Sequence, residues 1–96
     1  MENRTMTLYP DGKKGVNISA QKYTLIREFI LETLQENKEI SYQKLNELAV
    51  TRLQDNFDGS IPWYLVSVKL DLEARKIIER ISGTSPHLVR LNSDLK

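Results

Sequence analysis

Few side chains in this sequence are of the kinds that carry reactions. Cysteine is absent and histidine occurs once, as His87 beside Pro86 in a stretch of loop-forming residues. Thiolate nucleophiles, disulfides and thiolate-metal sites are therefore excluded, and no second histidine stands at metal-ligand spacing from His87. No Ser-His-Asp order with a nucleophile elbow can be read. Glu28, Glu32 and Glu36 recur at four-residue spacing on one side of a helix. They suit a basic partner, although a solvated face is the simpler account. Gly12-Lys13-Lys14-Gly15 lacks both a preceding strand and the spacing of a phosphate loop, and reads as a turn. Trp63-Tyr64 opens a helix; in a domain this small the tryptophan is assigned to the core, while Tyr64 stays open between core, base stacking and interface. The expectation is a protein that is not an enzyme and that holds no metal, no cofactor and no evident small-molecule substrate.

The bulk properties agree with a small binding or structural module. Ninety-six residues make one domain, and 40% apolar with 28% charged residues is an ordinary globular composition. No apolar run approaches a membrane span and the first residues lack the apolar stretch of a signal peptide, so a cytoplasmic protein without membrane contact is expected. A net charge of +1 supplies no global field toward nucleic acid, which leaves only local patches. Residues 59–96 carry a net +2 and residues 17–58 a net −2, too small a contrast to mark a phosphate-binding face.

The elements that must position any site follow from periodicity. Residues 1–18 show no period and read as an N-terminal arm, with Thr5 to Tyr9 as a short extended piece and turn residues from Pro10 to Gly15. Ser19 caps a first helix whose apolar positions are Tyr23, Ile26, Phe29, Ile30 and Leu34. Glu39-Ile40-Ser41 fits a very short strand, and Ser41 caps a second helix with the stripe Leu45, Leu48, Ala49, Leu53 and Phe57. Ser60 followed by Pro62 opens a third helix, which the pattern carries to about Lys76. That helix is apolar on two faces: Trp63, Val66, Leu70, Ala74 and Ile77 on one side, Leu65, Val68 and Leu72 nearly opposite. Two polar strips separate them, Tyr64-Ser67-Asp71-Arg75 and Lys69-Glu73-Lys76. Asp71 and Arg75 stand at i,i+4 and pair for a few tenths of a kcal/mol if exposed. Residues 77–81 and 88–91 are β-prone runs that pair antiparallel across a Gly83 and Pro86 connection, and residues 93–96 form a polar tail.

The order helix, short strand, helix, turn, helix, hairpin resembles a winged helix-turn-helix, a mainly α fold with a small β-hairpin that here occupies residues 19–92. The segment from Val68 to Arg80 resembles the end of a recognition helix passing into a first wing strand, with Lys76 where a glycine often sits, a departure that weakens the case for a left-handed helix end. The string from Phe57 through Trp63-Tyr64 to Arg80, with Gly12 to Gly15 and Tyr23, is similar to a bacterial winged-helix-like family of unknown function. The resemblance implies a DNA-associated transcriptional regulator whose third helix enters the major groove of double-stranded DNA. Under it the candidate contacts are Tyr64, Ser67, Lys69, Lys76, His87 and Arg90. The groove-facing residues would be Val66, Ser67, Leu70 and Asp71, which are poor base readers, and Asp71 would be repelled by phosphate. The residues themselves favour a protein-interaction or dimerisation module that keeps the fold without reading DNA. Its candidate interface is Trp63, Val66, Leu70 and Ala74, a face too apolar to stand bare. Three covers stand open for it: the arm through Met6, Leu8 and Tyr9, a second copy of the chain, or the protein's own helices and hairpin.

Overall fold

The computed structural model describes residues 4–9, 13–55, 57–81 and 88–92. These form β1 (Arg4–Leu8), β2 (Lys14–Ser19), α1 (Ala20–Asn37), β3 (Glu39–Ser41), α2 (Tyr42–Leu53), α3 (Ile61–Ala74), β4 (Ile78–Ile81) and β5 (Leu88–Leu91). The architecture is α+β, with three helices and two small antiparallel sheets among the described residues. The connection that carries His87 and the expected tail 93–96 lie outside them.

Each helix starts where its serine predicts. The Ser19 hydroxyl accepts from the Lys22 N–H at 3.3 Å, Ser41 from Lys44 at 3.1 Å, and Ser60 from Trp63 at 3.4 Å, with Pro62 in the first turn of α3. Each hydroxyl satisfies an N–H that has no partner within its helix. Behind the caps, Ile26, Ile30 and Leu34 of α1, Leu45 and Ala49 of α2, and Leu65, Val68 and Leu72 of α3 interlock with Ile40, Ile78 and Val89 of the three-stranded sheet. The strand order in that sheet is β3-β5-β4, which places Val89 opposite Ile40 and Leu91 opposite Ile78.

The arm is the first correction. Residues 4–19 form a β-hairpin, with Arg4 opposite Ser19 and an irregularity between Met6 and Leu8. A strand does precede Gly12 to Gly15, but it returns as a second strand and not as the helix a phosphate loop requires. The sequence disguises this hairpin because the polar Thr7 is fully buried and the apolar Met6 is exposed, the reverse of the usual alternation. Thr7 is satisfied inside: its Oγ1 donates to the Val16 carbonyl at 3.0 Å and accepts from the Val16 N–H at 2.8 Å. Gly15 permits that approach, since a Cβ there would lie 2.5 Å from Thr7 Oγ1.

The second correction concerns α3, which ends at Ala74 and not near Lys76. Lys76 does adopt the left-handed conformation, with φ 63°. The Ile77 N–H bonds the Leu72 carbonyl at 3.0 Å and the Lys76 N–H bonds the Glu73 carbonyl at 3.1 Å, the Schellman arrangement that closes a helix end. A lysine therefore occupies a glycine's conformation and carries its steric cost of about 1 kcal/mol.

Two outcomes follow. Lys76→Gly should raise the unfolding free energy by roughly 0.5–1 kcal/mol, the relief of left-handed strain net of glycine's chain entropy, while Leu65→Ala should lower it by about 2–5 kcal/mol. Urea denaturation followed by circular dichroism measures both.

Candidate functional site

Helix α3 packs against α1, α2, β1, β2 and β4, which places it at the centre of the molecule. The polar strips assigned to solvent from the sequence are largely inside: Ser67, Lys69 and Asp71 are buried, and Asp71 has no solvent contact at all. A buried carboxylate is tolerated only when donors surround it. Asp71 Oδ1 accepts the Leu8 N–H of β1 at 2.9 Å, Oδ2 accepts the Tyr23 hydroxyl of α1, and the Arg75 Nε lies 3.0 and 2.9 Å from the two oxygens. The pair foreseen as an exposed i,i+4 contact is thus half-submerged, with the arginine at the surface and the aspartate beneath it. The Asp71 carboxylate holds the Arg75 guanidinium pKa above its ordinary value. Burial, reinforced by the hydrogen bond to Asp71 and its charge, pushes the Tyr23 hydroxyl from 10.0 up to about 12.

A second buried polar group joins α3 to α2. Lys69 Nζ lies 2.7 Å from Glu73 Oε2, with both side chains largely out of solvent, and 5.0 Å from the Tyr42 ring centroid. Burial and the Glu73 charge raise the Tyr42 pKa. Lys69 is accordingly a neutralised internal cation.

The third grouping lies at the start of α3. Tyr64 packs edge-on against Trp63, with ring centroids 4.9 Å apart, and against Phe57 at 5.1 Å, and Lys22 Nζ sits 5.1 Å from the Tyr64 ring centroid. Gly59, at φ 122°, makes room for the Tyr64 ring. Trp63 is 43% exposed, so its assignment to the core is corrected; it caps the aromatic cluster from outside because the core side of α3 is already taken by Leu65, Val68 and Leu72.

The sequence-derived nucleic-acid residues are therefore not gathered on one face. Tyr64 is half-buried among aromatic rings, Ser67 donates to the Trp63 carbonyl at 2.9 Å, and Lys69 is internal. Arg90 is opposite Glu79 in the sheet and pairs with it at 2.6 Å, Lys76 is exposed at the helix end, and His87 falls outside the described residues. Of the interface residues, Val66, Leu70 and Ala74 are half-buried on a helix against which β1 lies, and Trp63 is exposed. The arm and the protein's own helices and hairpin both lie against α3. Sequence reasoning missed Leu8 and Tyr23 as partners of Asp71, since they stand 63 and 48 residues away.

Residues 4–89, from β1 into β5, match a family described as a family of unknown function, DUF6958. The chain belongs to that family. The DUF6958 match spans the hairpin, all three helices and every residue of the Asp71 cluster, and no activity comes with it. No curated protein and no solved structure matches the chain.

The Asp71 cluster generates two outcomes. Asp71→Ala leaves the Leu8 N–H and the Tyr23 hydroxyl without an acceptor and should cost about 3 kcal/mol, with faster hydrogen exchange at the Leu8 amide. Tyr23 binds its proton more tightly folded than unfolded, so its contribution is fully present below pH 10 and is lost as pH rises through about 12. Tyr23→Phe should lower stability at neutral pH and flatten that alkaline decline, leaving the smaller slope of the same sign from Tyr42, as urea midpoints across this pH range would show.

Proposed function

We propose that the protein is a protein-interaction module built on a winged-helix frame, and not a reader of DNA. The order α1, β3, α2, α3 and the β4-β5 hairpin, with β3 completing the sheet, supports the frame. One observation carries the functional half of the reading: the Leu8 N–H of the N-terminal hairpin is hydrogen-bonded to Asp71, so the chain's own strand stands on the side of α3 that the winged-helix resemblance turns toward DNA. A recognition helix needs that face open and furnished with bidentate donors. Here the donors on it are internal or engaged, with Ser67 bonded to a helix carbonyl and Lys69 ion-paired. No catalytic step, metal or cofactor enters the reading.

A DNA-associated regulator is the second reading, and the exposed Lys76 and Arg80 at the end of α3 favour it. Two cations supply only a shallow salt dependence, about 0.9 per neutralised phosphate. Fluorescence anisotropy with a labelled random-sequence duplex separates the two. In about 50 mM salt a non-specific DNA binder should saturate at micromolar protein and weaken steeply as salt rises. We expect no binding; salt-sensitive binding at that concentration would reverse the choice.

A further inference from the structure

Helix α1 buries Ile26, Ile30 and Leu34 yet leaves Leu25 41% exposed. Leu25 stands at the lip of a groove of about 270 Å³ between α1 and the end of α2, lined by Leu25, Glu28, Phe29, Glu32, Arg52 and Leu53. The floor is apolar, Phe29 being buried and Leu53 half-buried. The rims are charged with opposite signs: Glu28 and Glu32 on the α1 side, Arg52 on the α2 side, and among the described residues none of the three has an ion-pair partner.

A groove with two unmet charges of opposite sign on opposite walls is complementary to itself. A two-fold axis through its centre lays the α2 wall of one copy over the α1 wall of the other. That operation brings Arg52 of each copy toward Glu28 and Glu32 of its partner, and Leu25 toward the partner's Leu53. A contact of this kind is isologous, each patch serving as its own receptor. A purely basic partner helix would satisfy the two glutamates but would be repelled by Arg52. We infer that this α1-α2 groove is the docking surface for a second copy of the chain, forming a two-fold dimer with Leu25 at its centre and the Arg52 to Glu28 and Glu32 contacts at its rim. The inference rests on the reading of the protein as an interaction module and names the partner. It leaves the α3 face, and the hairpin on it, outside the interface.

Light scattering and sedimentation over a concentration series test it. The wild type should move from the 11.1 kDa monomer toward twice that mass as concentration rises. Leu25→Glu, at an exposed position, should keep the circular dichroism spectrum and remain monomeric. Arg52→Glu alone, or Glu28→Arg with Glu32→Arg, should raise the dissociation constant by about tenfold or more, and the three reversals together should restore it to within a few fold. Dimerisation that survives Leu25→Glu, or a triple reversal no tighter than its parents, overturns the inference. So does a wild type that stays monomeric to hundreds of micromolar, which leaves the groove to a different occupant. A monomer that also ignores DNA removes the dimer and keeps the interaction-module reading, whereas a dimer that binds DNA in a salt-sensitive way removes that reading and keeps the dimer.

Discussion

A carboxylate cut off from water has to be met by hydrogen-bond donors, and the three that meet Asp71 come from three elements. Leu8 contributes a backbone N–H from β1, Tyr23 a hydroxyl from α1, and Arg75 a guanidinium from the last turn of α3 itself. Desolvating the charge is expensive, and a well-packed apolar residue would stabilise the site as much or more. What the carboxylate adds is direction. An apolar contact between the hairpin and α3 could slide, whereas an acceptor of fixed geometry holds β1 at one register and α1 at one rotation. The placement of α1, α3 and the hairpin is in this sense a single decision made at one side chain.

That decision governs which surface remains for partners. With β1 laid along α3 and Lys69 folded inward against Glu73 and Tyr42, the central helix has little polar surface left. The sheet side offers no strong field either, because Arg90 faces Glu79 across the strands. Exposed large hydrophobic side chains among the described residues are Met6, Tyr9, Leu25 and Trp63, and of these Leu25 lies in a groove whose rims carry unpaired charge.

What the sequence disclosed was what depends on neighbours in the chain. Ser19, Ser41 and Ser60 cap because a hydroxyl reaches an N–H three residues on, and the stripes of α1 and α2 and the Leu65 face of α3 follow the helical period. The β4-β5 pairing was legible from two β-prone runs around a glycine and a proline. What stayed hidden depends on contacts between distant residues. Thr7 turned inward and Met6 outward erase the alternation that marks a strand, so the hairpin read as an arm. A helical wheel sends Lys69 and Asp71 to water, because their partners lie on other elements or, for Glu73 and Arg75, become buried only through them. The α1-α2 groove exists only once Arg52 has been brought beside Glu28. The left-handed turn at Lys76 was masked because lysine replaces the residue that normally announces it.

The hairpin has a kinetic consequence. Its anchor, Asp71, is 63 residues downstream of Leu8, and a two-stranded ribbon is marginal in water on its own. As the chain leaves the ribosome, the segment made first has no acceptor to hold it until α3 has emerged and wound. Closing so long a loop also carries an entropic cost that local helices escape. The oldest part of the nascent chain is thus among the last to settle.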